Sequence, residues 1–337
     1  VRPASILPAL LLACLACIGD SAYSEDTAFI GPAGDGRESK WSGEILDYTG
    51  RELRMRLSTG AERSFPAARV VRVNTAWPNG QLAGDELFSK HDYRKALEQY
   101  RAALGADTRD WVRRRIRAQV VWCFKLLGQW EQAGDHFLLL VGADPDTESF
   151  DSIPLSWTTG EPSAALARKA KGWMDRGDSA PAMLIGASHL LATGQRPAAL
   201  DRLRRLATER DPRIAWLAET QLWRTQAFNA SENQLDVWRA SLEKMPEPLR
   251  AGPYYMLGIA AVEKQPEPAA VDLLRLPILY PRERLLSASA LLSAGRAVER
   301  GRQPSAASML YRELTSEFVD LPEAAEAQRR LVATESP

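Results

Sequence analysis

A spacing constrains this chain more than any other feature. An alanine or leucine recurs at Ala96, Ala133, Ala165, Ala199, Leu235, Ala270 and Ala306, in steps of 37, 32, 34, 36, 35 and 36 residues. Such regular self-similarity marks a chain built from stacked supersecondary units rather than from one irregular core. Positions around the anchors keep the same register. Five residues earlier stand His91, Gly128, Gly194, Gln265 and Gly301, where a turn is expected. Four residues later stand Tyr100, Phe137, Leu203, Leu274 and Leu310. Twelve residues earlier the side chain is small at Gly84, Ala187, Gly258 and Ala294, with Val121 the exception. A helix pair needs this set: small residues let two helices approach, and the large residue one turn on fills the space between them. The units anchored at Ala165 and Leu235 lack the glycine and its partners, so distorted pairs are expected there.

The segments "GDELFSKHDYRKALEQYRAAL" (84–104), "AQVVWCFKLLGQWEQAGDHFLLLVGADP" (118–145) and "YYMLGIAAVEKQPEPAAVDLLRLPILYP" (254–281) carry the pattern best. They resemble tetratricopeptide repeats, with Tyr254, Leu257, Gly258, Ala270 and Pro281 where that family places aromatic, Leu, Gly, Ala and Pro. The resemblance spans about residues 81–331 and implies a mostly α fold, an α–α superhelix or right-handed solenoid over 78–337. The tail "SMLYRELTSEFVDLPEAAEAQRRL" (308–331) is similar to repeats of bacterial envelope proteins: lipoproteins that help assemble outer-membrane barrels, and the periplasmic coordinator of the Tol-Pal system.

Residues 1–24 read as an export signal. Arg2 precedes the apolar run Ile6–Ala16, and Ala22-Tyr23-Ser24 offers a cleavage site. Leu11-Leu12-Ala13-Cys14 resembles a lipobox, which makes Cys14 an alternative lipid anchor. The Cys14–Cys17 spacing is better explained by the signal than by a metal or redox pair. No apolar stretch reaches the length of a membrane span. The expected location is therefore the periplasm or cell envelope.

Residues 25–40, rich in Gly and acid, read as a linker without a phosphate loop. Residues 41–77 read as a small β module. In "RELRMRL", Leu53, Met55 and Leu57 alternate with Glu52, Arg54 and Arg56, the period of a strand with one buried face. "RVVRVNT" (69–75) reads as another strand, and Pro66 falls in a connection. The module resembles an Sm-like or SH3-like partial barrel, yet so few residues bury little core alone, so it is expected to pack on the helices. Trp77-Pro78-Asn79-Gly80 is the boundary.

Lys plus Arg equals Asp plus Glu at 43 each, which argues against a nucleic-acid partner. His91, His136 and His189 lack a second ligand at metal spacing and read as structural. Asp144, Asp146 and Glu148 alternate as in a calcium loop, but the glycine and closing glutamate are missing, so a repeat-closing loop fits better. No nucleophile elbow, phosphate loop or dinucleotide fingerprint occurs, and no cofactor is expected. Ten tryptophans are present; Trp130 and Trp216 read as packing.

In "RDWVRRRIRAQ" (109–119) the arginines cannot share one helix face. Arg115, with Trp122 and Lys125 further along, would point into the concave groove. Tetratricopeptide proteins commonly bind an extended peptide or its carboxylate there. By that resemblance the groove candidates are Asp85, Phe88, Arg115, Trp122, Lys125 and Tyr255. The expected function is a non-catalytic protein–protein interaction or assembly scaffold of the envelope. The alternatives are an enzyme or enzyme accessory with a site around Asp47, Arg69 and Asp85, and a peptidoglycan or carbohydrate binder.

Overall fold

The computed structural model describes residues 25–31 and 38–335. The export signal and Cys14 lie outside these residues. Five strands come first: β1 (Asp26–Ile30), β2 (Ser39–Tyr48), β3 (Glu52–Leu57), β4 (Glu62–Pro66) and β5 (Val70–Asn74). All pairs are antiparallel, in the order β4-β3-β2-β1-β5. The alternation expected of β3 holds, with Leu53 and Met55 buried and Arg54 and Arg56 exposed. Pro66 ends β4, an edge strand where a missing donor costs little.

The span read as a linker needs correcting. It contains β1 and the first residues of β2, and β1 lies inside the sheet between β2 and β5. Ala28 and Ile30 supply the buried alternate positions, and the Asp26 carboxylate accepts a hydrogen bond from the Ile45 N–H at 2.9 Å. Two buried apolar residues among glycines and acids were too short a signal to register as a strand.

Fourteen helices follow among the described residues. The first four are α1 (Asn79–Ser89), α2 (Tyr93–Ala106), α3 (Asp110–Leu126) and α4 (Trp130–Ala143). Next come α5 (Ala164–Met174), α6 (Ala180–Leu190), α7 (Arg196–Leu206), α8 (Pro212–Trp223) and α9 (Glu232–Lys244). The last are α10 (Ala251–Ala261), α11 (Pro266–Leu279), α12 (Arg284–Arg300), α13 (Pro304–Glu317) and α14 (Pro322–Glu335). Side chains close several N-termini: Asp92 for α2, Ser163 for α5, Asp211 for α8 and Ser231 for α9 each accept from a first-turn N–H. Most helices pack chiefly on their chain neighbours. None among the described residues is long and apolar enough to cross a membrane.

The register read from sequence organises this packing, with two corrections. Ala96, Ala133, Ala199 and Leu235 are fully buried. At Gly84 an added Cβ would lie 2.6 Å from the Tyr100 ring, so glycine is what lets α1 and α2 touch. In the last unit the register moves by one residue. Gly295, Arg302, Ala307 and Tyr311 take the places expected of Ala294, Gly301, Ala306 and Leu310. A Cβ at Gly295 would meet Tyr311 at 2.3 Å, and Arg302 at φ 60° matches the left-handed turns of His91 at 62° and Gly128 at 68°. Similarly, Leu273 rather than Leu274 is the fully buried partner of Gly258.

The two irregular units have physical causes. Ala165 is exposed, and α5 buries Leu166 and Ala170 instead. In the Leu235 unit, Trp223 stands where other units carry a small residue. Its indole stacks on Trp238 with ring centroids 4.8 Å apart, and this buried pair takes the place of a close approach between α8 and α9.

The sheet is not a separate body. One apolar cluster runs from Ala28, Ile45, Leu53 and Met55 through Tyr100, Trp111 and Ile116 to Ala133. The chain also returns to its beginning. The ammonium of Lys125 on α3 lies 2.9 Å from the carboxylate of Glu283, 158 positions away, and the neighbouring Arg282 donates to Gln119. The tip between α11 and α12 thus rests against the inner face of α3.

Candidate binding cleft on helix α3

Helix α3 sorts its side chains by face. Trp111, Ile116, Val120 and Cys123 are buried in the core shared with the sheet. Arg115, Gln119, Trp122 and Lys125 follow at intervals of three and four, which aligns them as one stripe. That stripe faces the returning tip at Arg282 and Glu283. Arg282 lines a polar cleft of about 410 Å³ at the N-terminal half, and Glu283 a separate cavity of about 490 Å³ at the C-terminal half.

The cleft is walled by the β2–β3 turn, α1, α3 and the acidic loop after α4. The three acids once compared with a calcium loop hold the sheet in place. Asp144 accepts from the Gly50 N–H at 2.9 Å, Asp146 pairs with Arg51, and Glu148 accepts from the Tyr48 hydroxyl at 3.4 Å. Gly50 lies so close to the Asp146 carbonyl that no Cβ would fit. Burial, with the Glu148 carboxylate second, pushes the Tyr48 phenol up to about 12. Arg114 is spent on the junction, pairing with Asp47 and donating to the Tyr48 carbonyl at 3.1 Å.

Two other guanidiniums remain in the cleft. Arg115 lies 4.6 Å over the Tyr48 ring, with Glu148 only at 3.9 Å. Arg282 is exposed and stands over Trp122 at 5.2 Å and Phe88 at 5.7 Å. Its hydrogen-bond partner is the neutral Gln119, and no carboxylate of the described residues lies within ion-pair distance. Two planar forks beside aromatic rings suit a carboxylate, which they can hold through paired, charge-assisted hydrogen bonds.

The six groove candidates therefore separate. Asp85 and Arg115 line the cleft, where Asp85 accepts from the Tyr100 hydroxyl at 2.6 Å. Phe88 sits half-buried against Tyr93 and under Arg282. Trp122 and Lys125 line the other cavity, and Lys125 is not the free cation expected of it. Its buried ammonium is held by Glu283 and lies 3.8 Å over the Trp122 ring, because the returning tip covers this half of α3. Tyr255 is half-buried against the main helical core and lines neither space. Sequence reasoning missed Arg282 and Tyr48, which reach the cleft from segments that are remote in the chain and carry no local signal.

The rival cluster does not converge. Asp47 pairs with Arg114, Arg69 donates to the Gly31 carbonyl at 2.9 Å, and Asp85 bonds Tyr100. Each histidine has a local role. His91 occupies a left-handed turn, and His136 packs on Phe124 at 5.2 Å. His189 is buried with Nε2 3.0 Å from the Pro154 carbonyl, and burial lowers it to about 4. Compared with known proteins, the chain matches no family model and no curated sequence.

Proposed function

We propose that this chain is a non-catalytic binding and assembly protein of the bacterial envelope that holds a carboxylate-bearing segment of a protein partner in the α3 cleft. Its helix pairs are read as tetratricopeptide-like units of a solenoid, and its sheet as an Sm-like or SH3-like module fused to the first of them. Support for the repeat comes from the recurrence of one contact, a glycine under a large ring, at Gly84 with Tyr100 and at Gly295 with Tyr311. Support for export comes from the order of segments in residues 1–24.

The observation that carries the binding reading is Arg282. An exposed guanidinium held by a neutral amide, beside Arg115 and two aromatic rings, is poised for an anion that the protein itself does not supply. Extended peptides recognised by their carboxylates use this chemistry. The test is fluorescence anisotropy with labelled extended peptides ending in a free carboxylate, alongside their amidated counterparts. Saturable binding of the carboxylate forms, weakened roughly tenfold or more by Arg282→Ala or Arg115→Ala, is expected, since charge-assisted bonds of this kind carry at least 1.4 kcal/mol. Equal binding of the amidated peptides, or indifference to both variants, would refute it. Fractionation of the expressed chain tests export separately.

A further inference from the structure

The second cavity, at the C-terminal half of α3, has a different chemistry. Three indoles line it, from Trp122 on α3, Trp130 at the start of α4, and Trp157 on the loop before α5. Four carboxylates line it too: Glu131, Glu161, Glu283 and Glu323. Among the described residues the only ammonium in the lining is Lys125, which Glu283 already engages at 2.9 Å. Glu131 and Glu161 make no ion pair or side-chain hydrogen bond with any described residue, and Glu323 accepts only from the Ser289 hydroxyl at 2.5 Å. His189 also lines the space, but its ring stays neutral at pH 7. The lining therefore carries an excess of negative charge beside three indole rings.

The wall that brings Trp157 in is built at a cost. Arg224 is buried and has no carboxylate partner among the described residues, and burial lowers its pKa to about 10. Its guanidinium donates to the carbonyls of Ser188, at 2.7 Å, and Thr158. The Ser156 N–H donates to the Ser188 hydroxyl at 3.3 Å, and His189 meets the Pro154 carbonyl. Thus three buried polar side chains, Ser188 and His189 on α6 and Arg224 just after α8, fix both sides of Trp157, while its ring packs where a Cβ on Gly252 would otherwise stand. A buried guanidinium without a counterion is expensive, and it holds a loop whose half-buried indole lines the cavity while packing against the main helical core.

We propose that this cavity binds an organic ammonium ion, seated against the half-buried indoles of Trp130 and Trp157 and balanced by Glu131, Glu161 and Glu323. Lys125 shows the chemistry within the chain, since its own ammonium sits 3.8 Å over Trp122 and is neutralised by Glu283. Desolvated cations on indole rings are held more strongly than at exposed sites, and carboxylates at the rim add the compensating charge. A neutral ligand of the same shape would gain only the apolar contact.

The proposal stands apart from the carboxylate cleft and is tested without it. Choline is titrated into the full chain by calorimetry and tryptophan fluorescence, beside its neutral carbon isostere 3,3-dimethylbutanol. An N-acetyl-lysine amide serves as a primary-ammonium arm, and a methyl glucoside as a neutral sugar. Saturable binding of at least one ammonium probe, with the isostere weaker by roughly tenfold or more, is expected. The Glu131→Gln/Glu161→Gln double variant, which touches no ion pair, weakens that binding by a similar factor. Trp157→Leu, which removes one of the seating indoles, weakens that binding as well. Choline against the lysine amide distinguishes a quaternary from a primary ammonium ligand. Isostere binding equal to choline, saturation by the sugar alone, no saturable probe at all, or an unchanged affinity in the Gln/Gln variant would each overturn the proposal.

Discussion

Replacing Gly84 by alanine tests the repeat register at a single atom. The new Cβ would stand 2.6, 2.7 and 3.0 Å from three carbons of the Tyr100 ring. Relaxed carbon contacts lie near ~3.5–4.0 Å, so the ring must retreat by about 1 Å. Tyr100 is fully buried and its hydroxyl is tied to Asp85 at 2.6 Å. Retreat therefore overpacks the helix pair, at about 1–3 kcal/mol, and strains a hydrogen bond to a carboxylate. Helix propensity opposes this by about 0.5–1 kcal/mol in favour of alanine. The balance is a net loss of about 2 kcal/mol. Gly172→Ala in α5 is the control: Gly172 is exposed and nothing lies within 4 Å of the new methyl. It should stabilise by about 0.5–1 kcal/mol through propensity alone. Urea unfolding followed by circular dichroism reads both values. A Tyr100→Leu background, which makes room, should remove most of the Gly84→Ala penalty, a coupling that a double-mutant cycle reports. If Gly84→Ala proves as stabilising as Gly172→Ala, the glycine–ring contact is not what brings α1 and α2 together.

Lys125→Met should cost about 3 kcal/mol by leaving Glu283 unpaired in a largely buried place, while Lys125→Met/Glu283→Gln should cost clearly less in the same urea assay. His189 stays neutral down to about pH 4 when folded but binds its proton near 6.5 when unfolded. Its contribution is thus present above pH 6.5 and lost progressively as the pH falls towards 4, by about 3 kcal/mol in all. Unfolding midpoints measured across that window should fall less steeply in His189→Gln. Arg302→Gly should raise stability by about 0.5–1 kcal/mol, since an exposed non-glycine residue at φ 60° forfeits that much, and a lower urea midpoint would contradict the assigned turn.

What sequence could reveal followed from periodicity. The alternation of β3, the boundary near Pro78 and the pairing of Gly84 with Tyr100 are all local patterns, and the structure keeps them. The stripe of Arg115, Trp122 and Lys125 was legible for the same reason, since helical spacing fixes which residues share a face. The last unit slipped by one because Ala306-Ala307 and Ala294-Gly295 offer two equally small neighbours, and only contact with Tyr311 decides between them. Strand β1 was lost because two buried residues make too short a period. The site itself was half visible. Arg282, Glu283 and Trp157 reach α3 through tertiary contacts across the chain, and no local pattern encodes a distance of that kind.

The return of the chain onto α3 creates both the cleft and the cavity, and one measurement addresses it directly. Carbodiimide treatment joins an amine to a carboxylate only when the two already touch. In the native chain it should link Lys125 to Glu283, and peptide mass spectrometry should find that junction within a single protomer. The exposed pairs Lys169–Asp135 and Lys90–Glu86 serve as internal standards for the reaction. A 125–283 junction that disappears in Glu283→Gln is the expected result. Junctions at both standards, with Glu283 instead coupled to an added amine such as glycine ethyl ester and none of it joined to Lys125, would show that the tip does not close on α3, and the two sites would fall with it.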